Sequence, residues 1–492
     1  MMDALTSDEI RRIDNITCNS IGSINLMEDA GQKMASIILR YYKPKNVLLL
    51  VGSGGNGGDS LVCGRYLLNE GIKTSAYIIS DVKNSDAISN LKLFKGEIIE
   101  NPIFRDYDLI IDGILGNNQK TPLKPNLIPI IKDVNSSNSI IVSLDMPTGI
   151  NTDNGLSLGE FIRSDLVISV EYPKIGLFLQ DGLDSYKKLE VIKIGMVHPK
   201  DIIHIDEDID FKGILKKRER NSNKSTYGRA SIIAGSKDYA GASYISYNAL
   251  NQFMIGVGYS YLYVPESLYE LYALRFPEII VSRIKDNSGH IAFDKDLLDK
   301  IMKSSDAISI GMGMGVSEDL YKTLDYLIHN YSKTLIIDAD ALNTISKYGI
   351  DVLNNHKADI VLTPHPKEAE RLSGIAVKDI LDNPILFAKE FAKKYNLILL
   401  LKGASTTISN GDIIKISAFG NSGLAKGGSG DALSGILCGI MATNGYSINN
   451  VALGSYILGM ACEKACKNCS ERSITISAIS MHIGEVLKEI EK

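Results

Sequence analysis

The feature that most restricts the fold of this chain is a repeated handover, in which a short apolar run stops at a cluster of Gly, Asp, Asn or Thr and a helix-like stretch follows. Val47 to Val51 runs into GSGGNGGDS and then LVCGRYLLNEG; Thr74 to Ser80, DLIID, SIIVSLD and DLVISV continue the series. Strands separated by helical stretches pair in parallel through right-handed crossovers, so the first half is expected to be α/β. From His198 the segment HPKDIIHIDEDIDFKGILKKRER breaks this pattern, with rising charge and punctuation at Pro199 and Gly213. A second α/β series then begins, with RASIIAGS, YSYLYV, AISIGMGMG, TLIIDADALN, DIVLTPHP and NLILLLKG as strands ending in turns. TTISNGDIIKIS reads as a hairpin about Asn410-Gly411, an antiparallel edge on an otherwise parallel sheet. Domains are expected at 1–205 and 206–492.

The 492 residues agree with two to four domains at roughly 150 residues each. A net charge of −5 gives no field that gathers nucleic acid or an anionic membrane. No apolar run reaches the ~18 residues of a membrane span, and MMDALTSDEIRRIDN is too charged for a signal peptide, so a cytoplasmic location is expected. Six cysteines without a secretory context read as reduced thiols. Cys462, Cys466 and Cys469 have the C-x3-C-x2-C spacing of the cluster loop of radical S-adenosylmethionine enzymes. Lying in YILGMACEKACKNC, they are expected instead on one face of an amphipathic helix. The Tyr-rich segment SYISYNALNQF is either an interface stripe or core.

In VLLLVGSGGNGGDS, Gly52, Gly54 and Gly57 satisfy G-x-G-x-x-G between a strand and a helix, where backbone amides face a phosphate. Asn56 and Asp59 add an amide and a carboxylate that a plain phosphate loop does not need. LIIDGILG and SIIVSLDMPTG bring Asp112, Asp145 and Thr148 to strand ends on the same sheet edge, where each aspartate has helix capping as its alternative use. Oxygen ligands without His or Cys suit a hard, weakly held cation.

GSGGNGGD, DGILG and SLDMPTG resemble the NAD(P)H-hydrate epimerase family, whose fold is Rossmann-like. The resemblance implies K+ ligands at Asn56, Asp112 and Thr148. It implies substrate contacts at Gly55, Asn56, Gly57, Gly58 and Asp59, along Gly116, Asn117, Asn118, Gln119, Lys120, Thr121 and Pro122, and at Asp145. The chain departs from that family with Gly55-Asn56 for Asn-Asn, Thr148 for Ser, and Gly116-Asn117-Asn118 for Gly-Thr-Gly. Thr148 keeps the hydroxyl, and Asn118 is a residue that tolerates positive φ. Asp145, from its strand-end position, is the expected acid/base for ring opening or inversion at C6.

GNSGLAKGGSGD, from Gly420 to Asp431, opens the helical ALSGILCGIMA. A glycine run at a helix start holds phosphate on free amides, and Asp431 stands there as an acid or base. No G-x4-G-K-[ST] loop occurs. The run looks like the G-x-G-D element of ribokinase-like phosphotransferases, and TPHPKE matches their N-x-x-E element with His365 replacing Asn, so that Glu368 would organise a nucleotide-borne Mg2+. His365 alone reads equally as a solvated loop histidine.

YAGAS, SIGMGMG, IDADALN with Asp338 and Asp340, and KGASTT narrow the likeness to the ADP/ATP-dependent NAD(P)H-hydrate dehydratases over Lys224 to Ile490. The resemblance implies that Lys402, Gly403, Ala404, Ser405, Thr406, Asn421, Ser422, Gly423, Lys426, Gly427, Gly428, Ser429 and Gly430 line ADP or ATP. It implies that Ala242, Gly315, His365 and Asp431 meet the hydrated nicotinamide. GMGMG departs from Gly-Pro-Gly-Leu-Gly, and Lys367 stands where glycine is common. Asp431 is expected to take the proton of the C6 hydroxyl as that oxygen is phosphorylated. The expected partners are hydrated NADH or NADPH and an adenine nucleotide, in a homo-oligomer that binds neither nucleic acid nor membrane. The competing readings are a ribokinase-type small-molecule kinase and a Rossmann half that senses NAD(P) without turnover.

Overall fold

The computed structural model describes residues 2–251, 254–274 and 279–492. The chain divides into two compact units, Met2–His204 and Ile205–Lys492. In the first, β1 (Asn46–Val51), β2 (Lys73–Ile78), β3 (Glu97–Ile98), β4 (Leu109–Gly113), β5 (Ile140–Leu144), β6 (Leu166–Val170) and β7 (Leu189–Ile192) form one sheet in the order β3-β2-β1-β4-β5-β6-β7. Every pairing in it is parallel. Helix α1 (Gly55–Asn69) leaves β1 directly. Strand order reverses between β1 and β4, and the carboxyl ends of those two strands bound the crevice where ligands bind in such sheets. Burial alternates along β1: Val47, Leu49 and Val51 join one apolar cluster, and Leu48 and Leu50 another. Both faces of the sheet are therefore covered, as a parallel sheet requires.

The second unit is built from β8 (Arg229–Ile233), β9 (Tyr259–Pro265), β10 (Ile280–Ile284), β11 (Ala307–Ile310), β12 (Thr334–Ile337), β13 (Asp359–Leu362), β14 (Ile398–Leu401), β15 (Thr406–Ser409) and β16 (Ile414–Ser417). They pair in the order β16-β15-β14-β13-β12-β11-β8-β9-β10. Strands β10 to β14 are mutually parallel. The Asn410-Gly411 turn joins β15 to β16, and these two extend the sheet as antiparallel strands. Ile232 and Ile336 face one cluster while Ile233 and Ile337 face the other, so this sheet too is covered on both sides.

Five helices matter to the site: α2 (Ala240–Asn251), α3 (Asp340–Tyr348), α4 (Pro366–Ser373), α5 (Ser429–Asn444) and α6 (Ile448–Ala465). Helix α5 is apolar all round and buried from Ala432 to Met441, which suits a helix enclosed in a core. It packs closely on α2, where a Cβ on Gly435 would stand 2.0 Å from the Ser246 carbonyl oxygen. Tyr247 of the Tyr-rich segment is core; Gln252 and Phe253 of that segment lie outside the described residues.

The cysteine triplet does not share one helical face. Cys462 lies in α6, Cys466 ends it, and Cys469 stands beyond it, exposed. Among the described residues no group of three His, Cys, Asp or Glu is placed to hold a metal, and no helix is long and apolar enough to cross a membrane.

Candidate active sites

In the first unit the glycine loop turns from β1 into α1 at the crevice. The turn is tight enough that a Cβ on Gly57 would lie 2.2 Å from the Gly52 carbonyl oxygen, so only glycine fits there. Asn56 is held by its Nδ2 donating to the Leu115 carbonyl at 3.0 Å, while its Oδ1 is buried without a hydrogen-bond partner. At the end of β4, fully buried Asp112 accepts from Thr148 N–H (2.9 Å), Thr148 Oγ1 (2.7 Å), Ser143 Oγ (2.8 Å) and Ile114 N–H (3.3 Å). Burial pushes the Asp112 carboxyl above its ordinary value against the pull of those bonds. Among the described residues no cationic side chain pairs with it. Leu115 links the two groups, its carbonyl accepting from Asn56 and its N–H donating to Thr148 Oγ1 at 3.2 Å, so the orphaned Asn56 oxygen, Asp112 and Thr148 offer a donor set of the kind that suits K+.

Asp145 follows β5 at φ +68°, a left-handed conformation that a non-glycine residue adopts at some cost. Its Oδ1 accepts from Val170 N–H at 3.2 Å and from the ammonium of Lys174, a lysine with 1% of its surface exposed. Asp59, on the first turns of α1, keeps part of its surface open to the crevice. Burial, then the charges of Asp145 and Asp14, push its carboxyl up to about 8 against the opposing charge of Lys174.

The 116–122 segment is tied to its neighbours by its own side chains. Gln119 is 3% exposed and braces two loops: its Nε2 donates to the carbonyls of Gly116 (3.2 Å) and Pro147 (3.1 Å), and its Oε1 accepts from Gly149 N–H (2.7 Å). Lys120 pairs with Asp153 at 2.7 Å. Asn118 has no positive φ; its Oδ1 accepts from Arg11 Nη2 at 3.1 Å. The departure from glycine at Asn118 is thus tolerated because the backbone there is ordinary. At Gly55 an added Cβ would meet nothing within 4 Å, so the glycine leaves open space where a side chain fits.

In the second unit the expected residues converge at the carboxyl ends of β11 to β14. Ala339, between Asp338 and Asp340, has φ +50°, and this strained turn sends the two carboxylates to different partners. Asp340 Oδ2 accepts from Gly315 N–H at 2.8 Å. Asp338, 1% exposed, accepts from Lys402 Nζ at 2.8 Å and from Ser434 Oγ at 2.7 Å. Gly313 brings Ala242 to the same place, since a Cβ on it would meet the Ala242 Cβ at 2.6 Å. His365 caps α4, its Nδ1 accepting from the N–H groups of Lys367 (3.1 Å) and Glu368 (3.2 Å), while Glu368 returns a bond to His365 N–H at 2.8 Å. Burial holds the His365 imidazole below its ordinary value, which keeps Nδ1 free to accept.

Lys402 follows β14 and reaches across to the glycine run. A Cβ on Gly430 would stand 3.3 Å from its Nζ, which places the ammonium at the start of α5. Burial lowers that ammonium, but Asp338 and Glu368, whose carboxylates lie 2.8 and 3.8 Å away, hold it above its ordinary value. Asp431, in the first turn of α5, is pushed up to about 7 by burial and then by Asp338, with Lys402 opposing. Gly428 sits at φ +97° and leads the free amides of that helix start into the cleft.

Other side chains of the run brace the loop. Lys426 Nζ donates to the carbonyls of Glu471 (2.8 Å), Arg472 (3.2 Å) and Ile474 (2.6 Å). Asn421 Oδ1 accepts from Gly423 N–H (2.9 Å) and the Cys462 thiol (3.2 Å). Ser422 bonds Glu471, and Ser429 Oγ donates to the Leu424 carbonyl at 2.7 Å.

Residues 230–484 match the family described as NAD(P)H-hydrate dehydratase, and residues 23–176 match the YjeF-related protein N-terminus. The bifunctional NAD(P)H-hydrate repair enzyme of Dictyoglomus turgidum is 31% identical over 486 residues, covering 93% of each chain. This chain belongs to the bifunctional NAD(P)H-hydrate repair family. The member from Moorella thermoacetica is 28% identical over 100% of this chain and 98% of its own. Among solved structures, the ADP/ATP-dependent NAD(P)H-hydrate dehydratase of Bacillus subtilis, co-crystallised with ATP and Mg2+, is similar at a TM-score of 0.50 and 25% identity over 59% of this chain and 99% of that one. A ribokinase-like protein of Enterococcus faecalis shares the fold at a TM-score of 0.52 and 24% identity.

Within this family frame, two side chains stand out that the sequence did not single out as site residues. Lys174 lies in YPKIG, which belongs to none of the motifs, and the fold buries it against Asp145. Ser434 lies in an apolar helical run, one turn past Asp431, and its spacing places it on the face of α5 that meets Asp338.

Proposed function

We propose that this repair enzyme acts on hydrated NADH and NADPH in two steps: the first unit interconverts the R and S forms at C6, and the second dehydrates the S form using ADP or ATP. The observation that carries the second step is Asp431 at the amide-lined start of α5, with Lys402 and Asp338 beside it. Asp431 takes the proton of the C6 hydroxyl as its oxygen attacks the terminal phosphoryl group. The amides from Gly427 to Gly430 and the Lys402 ammonium offset the charge on the moving phosphoryl. The ring nitrogen lone pair then expels phosphate, and loss of a C5 proton restores the dihydropyridine.

Glu368 is the carboxylate that would hold a nucleotide-borne Mg2+, which would supply further charge stabilisation and needs only one or two carboxylates. Asn56, Asp112 and Thr148 would hold K+, which would order the loops that flank the first crevice. Asp145, at its strand end, is the acid/base assigned to C6 in the first unit. Six unpaired thiols agree with a cytoplasmic location.

The test is Asp431→Asn with the S form, nucleotide and Mg2+. Recovery of the dihydropyridine band is expected to fall by about 100-fold or more, while chromatography still shows R and S interconverting. Recovery at the native rate refutes the assignment of Asp431.

A further inference from the structure

A lysine without solvent must have a counter-charge, and Lys174 has one: among the described residues its ion-pair partner is Asp145. The pair differs from a purely structural one in how the carboxylate is satisfied. Glu171, a buried carboxylate on the same segment, accepts through Oε2 from the N–H groups of Ile194 (2.6 Å), Gly195 (2.9 Å) and Met196 (3.3 Å), with Lys193 3.8 Å from Oε1. Among the described residues Asp145 accepts its side-chain hydrogen bonds on Oδ1 alone. Its Oδ2 is not among the buried unpartnered atoms and stays open. The residue also sits in a left-handed conformation at the carboxyl end of a strand, where strain is kept for function. Asp59 follows the glycine loop in the first turns of α1 and keeps part of its surface exposed.

We propose that Lys174 is a positioning residue of the epimerase site, holding Asp145 by Oδ1 so that Oδ2 is presented to substrate, with Asp59 and Asp145 acting as the acid and base at C6. The proposal rests on the epimerase reading and deepens it. Asp59 gives a proton to the C6 hydroxyl; the C6–O bond breaks as the N1 lone pair forms the C6=N1 iminium, and water leaves. Water then adds to the opposite face, forming a new C6–O bond and passing its surplus proton to the Asp145 carboxylate. Exchange with solvent resets both carboxyls, and nothing is oxidised or reduced.

The test uses the full chain with ADP, Mg2+ and a mixed pool of hydrated NADPH, with spontaneous epimerisation subtracted. Dehydration of the S form, in the other unit, is the internal control. Lys174→Met is expected to lower kcat for R-form consumption about 100-fold with KM within about threefold, and Lys174→Arg to recover at least about a tenth of native kcat. Because Lys174 acts through Asp145, the double variant Lys174→Met/Asp145→Asn is expected to be no slower than Asp145→Asn alone. That variant carries neither buried charge, so it decides the question even if Lys174→Met alone does not fold. Native kcat in folded Lys174→Met, equal loss in the Arg and Met variants, or a double variant clearly slower than Asp145→Asn overturns the proposal. A native chain that consumes the R form no faster than the spontaneous rate overturns the epimerase reading itself.

Discussion

Asp431 has a carboxyl pushed up to about 7, and a general base works only when ionised. The rate of S-form dehydration at low substrate is therefore expected to rise with pH through about 7 and then level off, with the rate at pH 6 about a tenth of the plateau. Burial is the largest cause of this value, and of the charges that add to it Asp338 and Lys402 act in opposite directions, with Asp340 raising it further. Asp338 raises it and Lys402 lowers it, and the two are joined by a 2.8 Å ion pair. Asp338→Asn removes the raising charge and frees the Lys402 ammonium, so the inflection moves down and the rate at pH 6 approaches that variant's own plateau. Lys402→Met removes the lowering charge, so the inflection moves up. Absolute rates are expected to fall in both, because Asp338 also holds Ser434 and Lys402 is the cation proposed to offset the phosphoryl charge, but the profile normalised to each plateau reads the electrostatics alone. The assay is the initial rate of dihydropyridine absorbance across the pH range with nucleotide and Mg2+ saturating. An inflection that belongs to the nucleotide's own phosphate moves in neither variant. Unmoved inflections, or shifts of the same sign in both, refute Asp431 as the titrating base.

Two further outcomes follow from the first unit. Asp112→Asn removes the charge and, because each Asp112 oxygen accepts from a backbone N–H, one acceptor of the buried cluster with it, so the thermal stabilisation of that unit by KCl over choline chloride is expected to vanish; an unchanged K+ shift contradicts the cation site. Asp59 has a folded-state value of about 8 against an ordinary 3.8, so its contribution to stability is complete below the lower value and is lost as pH rises through the higher one. Asp59→Asn is therefore expected to melt progressively higher than the native chain between those limits, and parallel melting curves against pH contradict the burial of that carboxyl.

The strand ends were the legible part of both sites. Asp112, Asp145 and Asp338 each stop an apolar run, and a parallel sheet carries such residues to one edge whatever the helices between them do. Asp431 was legible because a glycine run opening a helix has few other uses. Side chains whose role depends on distant loops were not. Gln119 and Lys426 each donate to backbone carbonyls of segments far along the chain, bonds that no local pattern announces. Lys174 belongs to no motif and lies buried against a partner 29 residues away. Cys469 followed the helical spacing of its neighbours in sequence, but α6 ends at Ala465 and the spacing has no meaning beyond that point.

The central claim is that one chain repairs both epimers of the hydrated cofactor, and a mixed R and S pool of hydrated NADPH tests it directly. With the native chain, Mg2+ and ADP or ATP, the dihydropyridine band is expected to recover completely, the R fraction disappearing faster than spontaneous epimerisation allows. No recovery with either nucleotide contradicts the dehydratase assignment, and recovery that stops at the S fraction, with the R form left to its spontaneous rate, contradicts the epimerase.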